Sequence, residues 1–184
     1  MGFHTYDIEN AAAMNDPDRF RFCSVEELLG LFKPEGTIAD LGSGTGFFTQ
    51  HLAAHADRLI AIDIQPAMHE WFRREGLPTN VDLLTAPIGS LGLADDALDG
   101  AISTFTFHEF NSQSAIDELA RTIRPGGQIA IVDWTATGPG AEGPPTDHRY
   151  SLAEATAAVA DQPFTVEVAS ERDETFAMGL RRDA

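Results

Sequence analysis

Apolar residues fall in short runs, and between the runs they recur every three or four positions. Ile38, Ala39 and Leu41, then Leu59–Ile62, Val81–Thr85, Leu98–Phe107 and Gln128–Asp133, read as buried or half-buried strands. Between them Phe47, Phe48, Leu52 and Ala53, then Met68, Trp71 and Phe72, then Ile116, Leu119, Ala120 and Ile123, keep helical spacing. Strand alternating with helix predicts an α/β fold around a parallel sheet. The helix ends carry their own signals. Ser24-Val-Glu-Glu27 and Ser151-Leu-Ala-Glu154 read as capping boxes, opening helices through Phe32 and to about Ala160. Pro66 suits a first helical turn, and Gly76 can close that helix. Ser114 can cap the helix to Ile123, which Arg124-Pro-Gly-Gly127 then stops. After Pro163, residues Phe164–Ala169 and Thr175–Leu180 alternate like two half-buried strands.

One junction carries more chemistry than the others. In Asp40-Leu-Gly-Ser-Gly-Thr-Gly46 a strand meets a helix through three glycines. Glycine permits a positive φ and lets a ligand approach the backbone without a Cβ in the way. Two ligand classes use such a turn. Dinucleotide-binding domains read G-x-G-x-x-G and seat a pyrophosphate on the helix N-terminus. Here the spacing is G-x-G-x-G, and Asp40 stands two residues before the first glycine. An acid there repels a pyrophosphate and suits an ammonium or sulfonium. Asp63 ends the next run, where an acid can accept hydrogen bonds from both ribose hydroxyls.

These residues resemble the class I S-adenosylmethionine-dependent methyltransferases. Ala94-Asp-Asp-Ala-Leu-Asp99, Phe107-His-Glu-Phe110, Arg124-Pro-Gly-Gly127 and Val132-Asp-Trp134 extend the resemblance, which is strong over about residues 35–135. It implies a seven-stranded Rossmann-like sheet of order 3-2-1-4-5-7-6, strand 7 antiparallel, with helices on both faces. It implies S-adenosylmethionine as cofactor and a methyltransferase of the ubiquinone/menaquinone type, acting on a small-molecule acceptor. Gly42, Ser43 and Gly44 would meet the methionyl part through backbone groups, with Asp40 orienting the loop and the ammonium. Asp63 would hold the ribose, Ile64 would flank the adenine, and the backbone near Thr104 would complete the site. In the family an acid about twelve residues before the aspartate of strand four binds the adenine amino group. That count lands on Pro87, a departure, so the N6 contact must come from elsewhere; the N–H of Ile88 can still reach adenine N1.

Methyl transfer from a sulfonium needs alignment more than covalent help. A base is needed only where the acceptor loses a proton. His108 is the first candidate, its ordinary pKa near 6.5 suiting neutral pH, and Glu109 is next; the competing reading is that His108 caps or packs at a strand end. His4, His148 and Tyr150 are weaker candidates. No His/Cys cluster has ligand spacing for a metal. Two other classes stay open: a nicotinamide-dependent oxidoreductase, disfavoured by the glycine spacing and Asp40, and a catalytically silent S-adenosylmethionine-binding protein.

Composition narrows the partners. The 184 residues suit a single domain spanning 1–184, and residues 1–34 form an N-terminal helical segment. Its Phe3, Tyr6, Phe20 and Phe22 suggest packing on the domain or closure over the cofactor. Acids number 29 against 12 bases, a net charge of −17, and Lys33 is the one lysine. Such a surface repels nucleic acid and anionic membranes. Dispersed acids with almost no lysine suggest a halophilic protein, the plainer alternative being an acidic cytoplasmic one. Cys23 is the one cysteine, which excludes an internal disulfide and the several thiols that arsenic methylation would want. No apolar run reaches the length of a membrane span, and the first residues do not read as a signal peptide, so a cytoplasmic protein is expected.

Overall fold

The computed structural model describes residues 8–184; Phe3, His4 and Tyr6 lie outside them. The strands are β1 (Thr37–Leu41), β2 (Arg58–Asp63), β3 (Val81–Thr85), β4 (Leu98–Thr104), β5 (Ile123–Trp134), β6 (Phe164–Glu171) and β7 (Thr175–Arg182). They form one sheet in the order β3-β2-β1-β4-β5-β7-β6. The first five are parallel, and β7 lies antiparallel between β5 and β6.

The two-residue period of the strands divides the core. Ile38, Leu59, Ala61, Ile102, Ala130 and Val132 face one side. There they meet Leu28 of α1 (Val25–Leu31), Phe47, Phe48 and Leu52 of α2 (Phe47–Leu52) and Phe72 of α3 (Pro66–Gly76). Ala39, Leu41, Ile60, Ile62, Ala101, Ile129 and Ile131 face the other. They meet α4 (Phe107–Phe110), α5 (Gln113–Thr122) and α6 (Leu152–Val159). Each fully buried Leu, Ile or Phe among them contributes about 1.5–3 kcal/mol of transfer free energy. Both faces are therefore covered, as a parallel sheet requires.

Several local expectations are corrected. The fourth strand stops at Thr104 rather than Phe107, because Phe105 takes φ 59° and turns the chain into α4. Its N–H still donates to Val132 O (2.8 Å), so the break occurs with the backbone satisfied. Ser112, not Ser114, caps α5, its Oγ accepting from Ala115 N. Arg124–Gly127 does not separate helix from strand; β5 already pairs at Ile123, and these residues form an irregularity within it. The two terminal strands are not equally half-buried. Central β7 is buried from Thr175 to Leu180, while β6, at the sheet edge, is exposed after Phe164. The box at Ser24 closes on one side only. Ser24 Oγ accepts from Glu27 N at 3.1 Å, but Glu27 reaches out to Arg172. The box at Ser151 is complete.

Candidate active site

The carboxyl ends of β1, β2, β4 and β5 open onto a cavity of ≈ 720 Å³. Gly42 and Gly44 take φ of 76° and 53° in the β1–α2 turn that walls one side. A Cβ on Gly42 would sit 2.1 Å from Thr106 Cγ2, so glycine is required there by contact as well as by conformation. The N–H groups of Gly42, Ser43 and Gly44 are engaged inside the protein. Gly42 N and Ser43 N both donate to Ile62 O, each at 2.8 Å. Gly44 N donates to Asp63 Oδ2 at 2.8 Å, and Gln65 N donates to Asp63 Oδ1 at 2.8 Å. A cradle that turns its donors inward offers little to a pyrophosphate, whereas the acid behind it favours a cation. Ile64, Pro87 and Ile88 supply an apolar wall beside Asp63.

On the acceptor side, Phe105, Thr106, His108, Glu109, Phe110 and Trp134 line the same cavity. The His108 ring is nearly buried, its Nδ1 3.0 Å from both carboxylate oxygens of Asp133. Asp133 also accepts the backbone N–H of His108 (Oδ2, 2.7 Å) and of Trp134 (Oδ1, 2.7 Å). Nε2 lies 3.3 Å from Glu109 Oε1. Burial opposes the charged ring, but the hydrogen bond and charge of Asp133, with the charge of Glu109, outweigh it and raise the pKa of His108 above its ordinary 6.5.

Two segments complete the walls. Residues 8–22 contribute Ala13, Met14, Arg19 and Phe22. They are fastened to the turn where Thr45 Oγ1 donates to Asn15 Oδ1 (2.7 Å), and to α2 where Phe20 packs on Phe47 with ring centroids 4.8 Å apart. The 135–149 loop contributes Glu142, Gly143, Pro144, Pro145 and His148. The buried guanidinium of Arg149 holds it, donating from Nε to Pro144 O (2.8 Å) and from Nη2 to Glu142 O. Arg21 of the first segment pairs with Glu142 of the second at 2.7 Å.

Residues 39–131, half of the chain, match the family model of a methyltransferase domain. The chain belongs to the class I S-adenosylmethionine-dependent methyltransferases. A solved S-adenosylmethionine-dependent methyltransferase from Aquifex aeolicus superposes with a TM-score of 0.87 at 26% identity, covering 97% of this chain and 100% of that one. Among sequence relatives, the arsenite methyltransferase of Halobacterium salinarum is 31% identical over 73% of this chain. The ubiquinone/menaquinone biosynthesis C-methyltransferase of Hydrogenovibrio crunogenus is 27% identical over 71% of it. The chain spans 36% and 54% of those two proteins' own lengths.

Within this methyltransferase domain the expected residues divide. Gly42, Gly44, Asp63, Ile64, Pro87, Ile88, His108 and Glu109 share the cavity. Asp40 and Thr104 are buried and do not line it, and neither does half-buried Ser43. Asp40 does not orient the turn. Its Oδ2 accepts from Thr49 Oγ1 of α2 at 2.5 Å, and its Oδ1 meets no partner among the described residues. Burial pushes this carboxyl up to about 6, against the Thr49 hydrogen bond. Phe105 and Thr106 take the place expected of the Thr104 backbone. His148 reaches the cavity, while Tyr150 packs against Phe107 instead, with ring centroids 6.0 Å apart. His4 lies outside the described residues. Sequence reasoning missed Met14, Arg19, Gln65 and the Arg149 clamp. It read Asp133 and Trp134 as part of a motif, without seeing that Asp133 bonds His108. The cavity residues fit the cofactor: an acid for the ribose, an apolar slot for a flat base, and a turn whose Gly42, Ser43 and Gly44 donors are already satisfied.

Proposed function

We propose that the domain transfers a methyl group from S-adenosylmethionine to a small-molecule acceptor. The inward-turned N–H groups of Gly42, Ser43 and Gly44, behind a cavity that also presents Asp63 and His108, carry this reading. Asp63 has acceptor capacity left for ribose hydroxyls after its two backbone bonds. Ile64, Pro87 and Ile88 would hold the adenine, and Gly42 and Gly44 the methionyl part. The cofactor supplies a methyl carbon already activated by the sulfonium, so the protein has to align the acceptor and exclude water. Phe22, Phe105 and Trp134 form an aromatic wall suited to both. Phe22 and Phe105 each pack on the Trp134 ring, with centroids 4.8 and 5.0 Å away.

Two features bear on the acceptor. The net charge of −17 argues against nucleic acid and anionic membranes as partners. Arsenic is disfavoured despite the arsenite methyltransferase among the relatives, because Cys23 is buried and burial, then Glu27, push its thiol up to about 12. A flat apolar acceptor with one polar handle fits the aromatic wall beside His108 and Glu109. The same charge supports a protein adapted to high salt. Calorimetry with S-adenosylmethionine, S-adenosylhomocysteine and NAD, followed by an acceptor screen with methyl-labelled cofactor, tests the reading. Binding of the first two and not of NAD is expected. Equal or better binding of NAD sinks it, and cofactor binding with no turnover of any acceptor favours a silent binding protein.

A further inference from the structure

We propose that Asp133 is the positioning residue that fixes the Nδ1–H tautomer of His108 and leaves Nε2 as its basic nitrogen, making His108 the base for an acceptor hydroxyl, with Glu109 as the outlet for its proton. This rests on the methyltransferase reading for its reaction, but not for its geometry. Three donors converge on the Asp133 carboxylate: the backbone N–H of His108, the backbone N–H of Trp134, and Nδ1 of the His108 ring. Asp133 is fully buried, so its negative charge must be met by donors. Both backbone groups can only donate, and a ring nitrogen 3.0 Å from both carboxylate oxygens must also carry its hydrogen toward them. The neutral ring is thereby fixed as the Nδ1–H tautomer, and the lone pair falls on Nε2. That nitrogen belongs to a residue lining the cavity.

The proton balance follows. The acceptor's O–H bond breaks and its proton forms an N–H bond at Nε2; the electron pair left on oxygen would bond the methyl carbon as that carbon's bond to sulfur breaks, the pair of that bond leaving with the neutral thioether. The imidazolium so formed sits between Asp133 and Glu109, at 3.0 and 3.3 Å. Glu109, with its side chain 31% exposed, then receives the proton and passes it to solvent. A third charge faces the ring from the far loop: Arg149, which acts against the imidazolium. The two carboxylates outweigh it. Such a base gives nothing to a nucleophile that has no proton to shed, such as a thiolate. It gives most to a phenolic or enolic hydroxyl, whose acidity lies closest to that of imidazole.

Nitrogen-15 NMR of histidine-labelled protein tests this without a known acceptor, with His108→Gln used to assign the signal among the six histidines. In the wild type above the titration midpoint, Nδ1 is expected protonated and Nε2 unprotonated. Asp133→Asn replaces an acceptor by a donor at the carboxylate, so the ring is expected to lose that tautomer and its midpoint to fall by about one pH unit or more. Diethyl pyrocarbonate, which reacts at an unprotonated imidazole nitrogen, is expected to modify His108 in the wild type and several-fold more slowly in Asp133→Asn. Should that variant not fold, Glu109→Gln leaves the buried bonds intact; it is expected to keep the tautomer and lower the midpoint. A wild-type ring protonated on Nε2 overturns the proposal, as does a tautomer and reactivity unchanged by Asp133→Asn. Titration with S-adenosylhomocysteine separates the two readings: its failure to bind removes the methyltransferase function and leaves the tautomer result standing.

Discussion

Asp63 accepts the backbone N–H of Gly44 at 2.8 Å, so the acid proposed to meet the ribose also fastens the glycine turn. The two roles do not compete for the same lone pairs. Each carboxylate oxygen takes one backbone donor, Gly44 N on Oδ2 and Gln65 N on Oδ1, and keeps one acceptor site. The turn is therefore set before a ligand arrives, and binding does not have to order it.

Asp63→Ala is accordingly expected to act twice. Losing hydrogen bonds to a charged acceptor weakens cofactor binding by about 1.5–3 kcal/mol, roughly tenfold to a hundredfold or more. Freeing the Gly44 and Gln65 N–H groups also costs stability, on the order of 1 kcal/mol for each that finds no water. Calorimetry with S-adenosylhomocysteine reads the first effect and urea unfolding the second. Unchanged affinity in a folded variant would remove Asp63 from the site.

Asp40 offers a test of what burial does to a carboxyl. Burial raises its carboxyl from 3.8 to about 6, with the Thr49 hydrogen bond opposing and Asp63 adding to the rise. The folded state thus binds more protons than the unfolded state between those values. Its contribution to stability is full below about pH 4 and is lost as pH rises through 6. Asp40→Asn abolishes that loss. Relative to the wild type, the variant should gain with rising pH by up to about 3 kcal/mol, offset by about 1–3 kcal/mol wherever the amide N–H₂ finds no acceptor. The difference between the two proteins in urea midpoints, followed from pH 4 to 7, checks this. A difference that does not change with pH refutes the burial account.

Much of the fold was legible because its signals are local. Runs of strand length, helical spacing and glycine punctuation placed the strand–helix alternation, and the resemblance supplied the strand order. The parts that were not legible depend on tertiary contacts. Nothing in Thr104-Phe-Thr106 announces a left-handed Phe105, because the turn is enforced where the chain leaves the sheet. Asp133 and His108 lie 25 residues apart and meet only because β4 and β5 are neighbours in register from Gly100 to Thr104. An acid ending one strand beside a histidine just past the end of the next was the available clue. The Arg149 clamp had none: its partners are chiefly backbone carbonyls of its own loop.

The folded state should gain stability as KCl rises toward molar concentration. A net charge of −17 repels itself, and screening shortens to about 3 Å at 1 M. The same salt weakens the surface ion pairs, such as Arg58–Asp82 and Arg21–Glu142, both at 2.7 Å and more than half exposed. Exposed pairs contribute only about 0–1 kcal/mol each, so relief of the general repulsion should win. Thermal unfolding followed in a KCl series decides it, and a melting temperature flat or falling with salt counts against adaptation to high salt.

The adenine end carries the most specific expectation. Pro87 is exposed and stands where related enzymes place a carboxylate, and its carbonyl already accepts from Ser90 N at 2.9 Å. Along that wall the cavity is lined by Ile64, Gln65, Ala86, Pro87 and Ile88, none of them acidic, with Asp63 beside them. An acid that accepts from the adenine N6 amine rejects a base without that donor, because its own buried acceptor is left unpaired. Without the acid, the penalty should shrink to that of a neutral contact, about 0.5–1.5 kcal/mol. The inosine analogue of S-adenosylhomocysteine, which carries a carbonyl in place of the amine, is therefore expected to bind within about tenfold of the parent compound. Pro87→Asp should widen that gap and strengthen the parent modestly, at up to about 1 kcal/mol of stability for releasing the fixed φ of proline. The side chain of Gln65 is the neutral rival. If its amide oxygen takes the N6 hydrogen bond, Gln65→Met will narrow the gap and Pro87→Asp will not widen it. Calorimetry with both compounds on the three proteins separates these outcomes. Rejection of the inosine analogue by several kcal/mol in the wild type would mean that the missing acid has been replaced, and that Pro87 is no gap in adenine recognition.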